Sequence, residues 1–373
     1  MRPNRTHILI GLLAWGLWAG PAGAQDPDDR LGQARAVAAR HLEQLGEGYE
    51  ARIDTGRHII YISALDRQHR EETIRLVSAY IDAQRRTLLT SPLQWNVTIL
   101  LPTIEDYRAR RPAENVIGFY EPAHQRVTSI DRGSVLIHEF THALHHADMA
   151  ESRQVHPPWI AEGLATLFEN VQITPAGLVP QLGPRLGLLQ RAIRNETAID
   201  LKDLLKMDAK AFMKQANLAY AQSRYLLLYL YEKDRLRTWY KRYKATYNQD
   251  PDGIAALQYA LPGRLDQIQK DWQEWVLQQE LSAPAHAGEA SMGLRLQDSP
   301  AGVEVVGVDS DSAAATAGRI NNGDIILTFN GQKVTTAMQL AAMIRHAGAN
   351  RTATLTVKRK GRTLTIRQAL GAR

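Results

Sequence analysis

The chain has 373 residues, 44% of them hydrophobic, which is too long for one typical domain and apolar enough to fill real cores. Of its 45 basic and 39 acidic side chains, Arg2 and Arg5 lie in the first 24 residues, which hold no acid; the remaining 43 against 39 is too even a balance to point to nucleic acid. There is no cysteine, so disulfides and a lipid-bearing cysteine are both excluded, and an exported chain of this composition must hold together on its core alone.

In chain order, Arg2 and Arg5 precede an apolar run at 8–18 and the small residues Ala22-Gly23-Ala24. That is the pattern of a secretory signal peptide over 1–24, which predicts an exported protein, periplasmic or secreted; the run is short for a bilayer span, and no later segment approaches one. Residues 26–48 are polar with helical spacing. "RHIIYIS" at 57–63 has the content of a strand, 67–88 reads as an amphipathic helix, and "WNVTILL" at 95–101 as a second strand. A short helix at 105–110 follows, then two short strands at 116–120 and 125–130 joined through Pro122. From Val135 to residue 281 the pattern is almost wholly helical, broken at 157–158, 175–184, 250–253 and 262–263. A sheet followed by helices predicts an α+β fold. Residues 282–290, "SAPAHAGEA", read as a linker, and 291–371 turn to short strands and glycine turns, a second domain that is small and mostly β.

The chemistry concentrates in "VLIHEFTHALHH" at 135–146, which holds four of the chain's 12 histidines. His138 and His142, four apart on a helix, share one face and can both donate nitrogen to one ion. Glu139 stands beside that face, where it can hold a water against the ion without ligating it. Ser134 is a plausible cap for this helix. A catalytic zinc takes a third protein ligand and keeps one position open. His145 and His146 are poor candidates, because three ligands in a row on one straight helix spread over about 10 Å. Glu162 in "PPWIAEGLATLFE" is better placed. Pro157-Pro158 stop the chain and start a second helix, whose Trp159, Leu164 and Phe168 supply apolar surface for packing on the first. Glu169, seven residues beyond Glu162, is either a support for a ligand or a solvated glutamate.

"HEFTHALHH" followed by "WIAEGLATLFE" resembles the gluzincin metallopeptidases, specifically their peptidase MA-like branch. The resemblance spans most of residues 50–281. It implies one zinc ion on His138, His142 and Glu162, with Glu139 as general base. It also implies that the strand "GFYEP", with Gly118, Phe119 and Tyr120, is an edge strand that pairs with an extended substrate. "YAQSRYLLLYL" is similar to a Tyr-x-x-Ser helix of the same branch and makes Tyr220 the candidate oxyanion donor. A metzincin would need glycine at 145 and histidine at 148, where this chain has His145 and Asp148; a thermolysin-like enzyme would have aspartate where Thr166 stands.

The C-terminal residues 291–371, with "GDIILTFNGQKV", the turn Asn330-Gly331 and a closing hairpin at Lys360-Gly361, resemble a PDZ domain of the bacterial protease type. The resemblance implies that Met292-Gly293-Leu294 offer backbone N–H groups to a peptide's C-terminal carboxylate, with a helix over 336–346 as the other wall. The expectation for the whole chain is an exported zinc metallopeptidase of residues 26–281 acting on a polypeptide, with a PDZ domain that recruits or regulates substrate, no nucleic-acid partner, and no membrane span once the signal is removed. Two other readings stand beside it: a catalytically silent envelope binding or scaffold protein, and a zinc hydrolase of a bond other than the peptide bond.

Overall fold

Two apolar runs, 59–63 and 97–101, are buried on both faces and organise the N-terminal half. A computed structural model describes residues 27–113, 116–183, 185–280, 290–299, 301–309, 312–334 and 337–372; the signal peptide expected at 1–24 and nearly all of the expected linker lie outside them. α1 (Pro27–Leu45) leads to β1 (Glu50–Asp54), β2 (Ile59–Ser63), α2 (Arg67–Thr87), β3 (Val97–Leu101), α3 (Ile104–Arg110), β4 (Gly118–Glu121), a 3-10 turn at Pro122–His124 and β5 (Arg126–Ser129). The strands form one sheet ordered β1-β2-β3-β5-β4, with β2, β3 and β5 parallel and both margins antiparallel. Ile59 and Tyr61 cluster with Val77, Tyr80 and Ile81 of α2, whereas Ile60 and Ile62 cluster with Ala34 and Ala38 of α1. Helices on both faces explain why these strands read as continuous apolar runs rather than as alternations. β1 is absent from the sequence reading, because "EARID" has only one strongly apolar residue and owes its extended form to its pairing with β2.

Next come α4 (Ser134–Ser152), α5 (Pro158–Phe168), β6 (Val171–Thr174), β7 (Gly177–Pro180), α6 (Leu186–Arg194), α7 (Leu201–Leu204), α8 (Ala209–Lys214), α9 (Ala216–Glu232), α10 (Leu236–Thr246), α11 (Ile254–Ala260) and α12 (Leu265–Gln278). The hairpin β6–β7 corrects the expectation of helices with a plain break at 175–184: Gly177, at φ +139°, turns the chain, and its hydrogen sits against Thr87 where a Cβ would lie 2.5 Å from the hydroxyl. Trp159, Trp239, Trp272, Phe140, Phe168 and Phe212 are fully buried in one core continuous with the α2 face of the sheet.

The C-terminal segment has β8 (Ala290–Ser291), β9 (Leu294–Ser299), β10 (Gly302–Val308), α13 (Ala313–Ala317), β11 (Ile325–Phe329), β12 (Gln332–Lys333), α14 (Ala337–Ala347), β13 (Thr352–Arg359), β14 (Arg362–Ala369) and β15 (Gly371–Ala372). Its sheet runs β14-β13-β11-β10-β9, with β12 on β11, around a separate core that includes Val303, Ile326, Leu340 and Leu355. Asn330-Gly331 and Lys360-Gly361 both have positive φ at both positions, as the tight hairpins at those places require.

The C-terminal half of α4 is fastened by buried polar groups. Asp148 accepts hydrogen bonds from Ser91 (2.8 Å), Tyr240 (2.6 Å) and Lys244 (2.9 Å). Burial pushes its carboxyl up, but the bonds from Tyr240 and Lys244 outweigh that and hold it below the usual carboxylate range. His145 and His156, both buried, are joined by a 2.7 Å hydrogen bond, and His156 Nε2 donates to Gln154 Oε1 at 3.0 Å. Neutral His156 must therefore accept at Nδ1, so His145 donates from Nε2. Burial, helped by the charge of Lys244, pushes His156 down to about 3. A group with a lowered folded pKa stabilises the fold fully above its unfolded value, here 6.5, and that stability is lost as pH falls toward the folded value. Between pH 7 and pH 5 the loss from His156 alone is about 2 kcal/mol. Urea unfolding of metal-free protein at these two pH values should show a stability drop that shrinks by about that amount in His156→Gln; equal drops in both proteins would contradict the assignment.

Candidate metal centre

α4 follows β5 directly and is buried along almost its whole length, so it lies between the sheet and the helical layer with residues facing inward on every side. Its cap is Asp131 and not the expected Ser134, which is exposed and already helical. Asp131 Oδ2 accepts from the N–H groups of Gly133 (3.2 Å) and Val135 (2.8 Å), and a carboxylate also suits the positive end of a helix. α5 begins at Pro158, where the missing N–H is no loss, and buries Trp159, Ile160, Leu164, Leu167 and Phe168. Gly163 lets α5 approach α9 closely, since a Cβ there would stand 2.9 Å from Leu227 and 3.2 Å from Ser223. Through that contact Glu162 of α5 and Tyr220 of α9 reach the same place as the histidines of α4.

Among the described residues, His138, His142 and Glu162 form a group of metal-ligating type, with one ligand atom from each and all of these within 4.8 Å of one another. Glu162 Oε2 lies 3.5 Å from His138 Nε2 and 3.3 Å from His142 Nε2, too long for good hydrogen bonds. His138 Nε2 and Glu162 Oε2 are buried and have no hydrogen-bond partner. Those separations fit one small ion, because tetrahedral bonds of about 2.0–2.1 Å put neighbouring ligand atoms about 3.3–3.4 Å apart. Burial drives the Glu162 carboxyl up, but His142 and His138 more than offset it and hold the group well below the carboxylate range. The buried triad could thus hold a metal ion.

Around the triad stand groups with distinct states. Glu139 is fully buried, neither of its oxygens has a hydrogen-bond partner, and burial pushes its pKa up against the pull of His138 and His142. Glu169 Oε2 accepts from His138 Nδ1 at 3.1 Å, so Nε2 is the nitrogen that faces Glu162; burial pushes His138 down, but Glu162 and Glu169 outweigh it and raise it to about 9. Arg185 pairs with Glu169, and the buried Arg224 lies 3.9 Å from it. Burial pushes Glu169 up, but Arg185 and His138 hold it near 2. Arg185 and Arg224 are not part of the sequence reading, because the hairpin that brings Arg185 back is hidden there. Tyr220 is buried with its hydroxyl unpartnered, its ring 6.4 Å from that of His138; burial and the nearby carboxylates of Glu162 and Glu139 push its pKa far up.

The other predicted site residues divide. Gly118 faces the metal helix so closely that a Cβ would lie 2.6 Å from Val135 and 3.3 Å from the Glu139 side chain. Phe119 and Tyr120 are buried, Phe119 against Tyr107 and Tyr120 with its hydroxyl 3.0 Å from His146 Nδ1. At this margin of the sheet β4 is the last strand, and its residues 118–120 are buried. His145 and His146 take no part in the triad: one is bound to His156, the other to Tyr120 with its ring 5.3 Å from that of Trp95. Met292 is buried in the C-terminal core, Gly293 turns at φ +69° against Ser312, and Leu294 starts β9, which ends its sheet.

Residues 290–370 match the PDZ domain family. No curated protein matches. Among solved structures the chain is similar to the HtrA-type protease AlgW with decapeptide at 20% identity and a TM-score of 0.22, over 23% of this chain and 30% of that one. It is similar to the serine endoprotease from Yersinia pestis at 19% identity and a TM-score of 0.21, over 29% and 36% of the two chains. It is also similar to the HtrA3 PDZ domain bound to a phage-derived ligand (FGRWV) at 21% identity and a TM-score of 0.20, over 23% and 86%. The chain thus spans 30% of the AlgW chain and 36% of the Yersinia chain. The family match covers β8 to β14, and the C-terminal segment of this chain is a PDZ domain.

Proposed function

We propose that the chain is an exported zinc metallopeptidase, residues 26–281, whose PDZ domain recruits or regulates its polypeptide substrate. The observation that carries the reading is the convergence of His138, His142 and Glu162 in a dry site, two of their ligand atoms lacking any hydrogen-bond partner, with the unpartnered carboxylate of Glu139 adjoining. Export rests on the leader pattern at 1–24, and among the described residues no helix is long and apolar enough to cross a membrane.

When bound, zinc would polarise the scissile carbonyl and lower the pKa of the water it holds to about 7. The chain's own groups do the rest. Glu139, with a raised pKa and no side-chain hydrogen-bond partner, would accept the proton of an attacking water and pass it to the leaving amine. The Tyr220 hydroxyl keeps its proton and donates to the oxyanion that develops on the carbonyl. Glu169, braced by Arg185, fixes the His138 ring through Nδ1. The main chain of β4 holds an extended polypeptide against the metal helix, and the open edge of β9 takes a C-terminal peptide as an added strand. The HtrA3 PDZ domain, which carries a peptide ligand, supports the second assignment by analogy.

Purified protein should carry about one zinc per chain, measured by elemental analysis. Glu139→Gln should keep that zinc and lose roughly 10²–10⁴-fold in peptide hydrolysis; Glu162→Ala should lower both. Zinc-loaded wild type that cleaves nothing across a broad peptide library, while still binding a C-terminal peptide, would identify a silent binding protein instead. Glu169→Ala should weaken zinc affinity roughly 10–100-fold without changing the stoichiometry at saturation, read by competition with a chromogenic chelator. Unchanged affinity would remove Glu169 from the metal site.

A further inference from the structure

The PDZ domain touches the N-terminal half at the carboxyl ends of the parallel strands, and there the ends of two helices exchange charged side chains. Arg345 lies in the last turn of α14, and its Nε donates to Asp131 Oδ1 at 2.8 Å. The other oxygen of Asp131 is the one that caps α4. In return Arg132 Nη2 donates to the carbonyl of Arg345 at 3.1 Å, in the last turn of α14, where that carbonyl also accepts from the Gly348 N–H at 3.1 Å. Arg132 also faces Glu72 at 3.6 Å. Asp131 is fully buried, so its carboxylate leans on the guanidinium of Arg345 for its opposite charge. It is also tied to the β4 margin: its N–H donates to Ser129 Oγ at 3.0 Å, and Ser129 pairs with Gly118.

Around this bridge the contact is open. A cavity of about 490 Å³ separates the two units, lined by Gln68, His69, Glu72, Arg132, Arg345 and Asn350. Beyond it Arg351 meets Asp66 at 3.4 Å, and Gly348 abuts His69, where a Cβ would stand 2.9 Å from the ring. α14 is the helix beside the open edge of β9, so a peptide that adds a strand there bears on α14, and the cavity leaves α14 room to shift. We propose that Asp131 and Arg345 couple the two sites: occupancy of the PDZ groove moves the charge partner of the carboxylate that caps the metal helix, and occupancy of the metal site acts back on the groove. This rests on the reading of His138, His142 and Glu162 as metal ligands and of β9–α14 as a peptide groove.

Because such coupling is reciprocal, it can be read without hydrolysis. Full-length protein, metal-free or zinc-loaded, is titrated with a fluorescein-labelled peptide ending in a free valine carboxylate, followed by anisotropy. In wild type the two Kd values should differ roughly fivefold or more, and zinc affinity should shift by the same factor with peptide present. In Arg345→Ala both ratios should fall to about one while peptide and zinc still bind; Arg345→Lys, which keeps the charge but not the planar fork, should be intermediate and serves if Arg345→Ala does not fold. Adding Asp131→Asn to Arg345→Ala should change the ratio no further. A wild-type ratio of one, a ratio that survives Arg345→Ala, or failure of either ligand to bind overturns the proposal. Coupling in a protein that hydrolyses no peptide would leave it standing and sink the peptidase reading alone.

Discussion

Two imidazoles and a carboxylate are held nearly out of water, with His138 Nε2 and His142 Nε2 lying 3.5 and 3.3 Å from Glu162 Oε2. Buried polar atoms without partners destabilise a fold, and the surrounding architecture consists largely of devices that keep these three in place. A helix buried on nearly every side carries the histidines, a proline-started helix carries the glutamate, and a glycine removes the bulk that would hold the third helix away. The Glu169–Arg185 pair fixes the orientation of the His138 ring. A cation bound among them would satisfy these groups at once, as the proposed metal site requires.

The parts of this site that were legible in the sequence are those set by local geometry. His138 and His142 need only a helix, and Glu162 needs only a second helix begun at Pro158 with an apolar face. What stayed hidden depends on return of the chain over a distance. Glu169 meets Arg185 sixteen residues later, across a hairpin whose four-residue strands are too short to announce a period. The cap at Asp131 was obscured by Ser134, a better-looking cap in the wrong place, and its partner Arg345 is 214 residues away. The same rule applies to the fold. β2 and β3, buried on two faces, read clearly; β1, half exposed and held by its neighbour, did not. The PDZ segment was readable because its glycine turns impose positive φ at fixed positions.

Two sheets of this chain end in a strand that lies beside a helix, β4 beside α4 and β9 beside α14. In the proposed function both strands pair with a guest through main-chain groups and the loop at 292–294 takes a chain terminus, so the two would read different features of one polypeptide. The bridge through Asp131 adjoins both, through Ser129 on one side and α14 on the other.

On the proposed peptidase reading, the burial of Phe119 and Tyr120 bears on what would be cut. A strand that pairs through its backbone does not read the guest's side chains, so on that reading discrimination would fall on conformation: the guest must surrender its own main-chain hydrogen bonds before it can pair. Helices and paired strands of a folded protein are closed to such a reader, whereas loops, frayed ends and unfolded chains are open to it. In that setting the stability of the substrate, more than its sequence, decides whether it is destroyed.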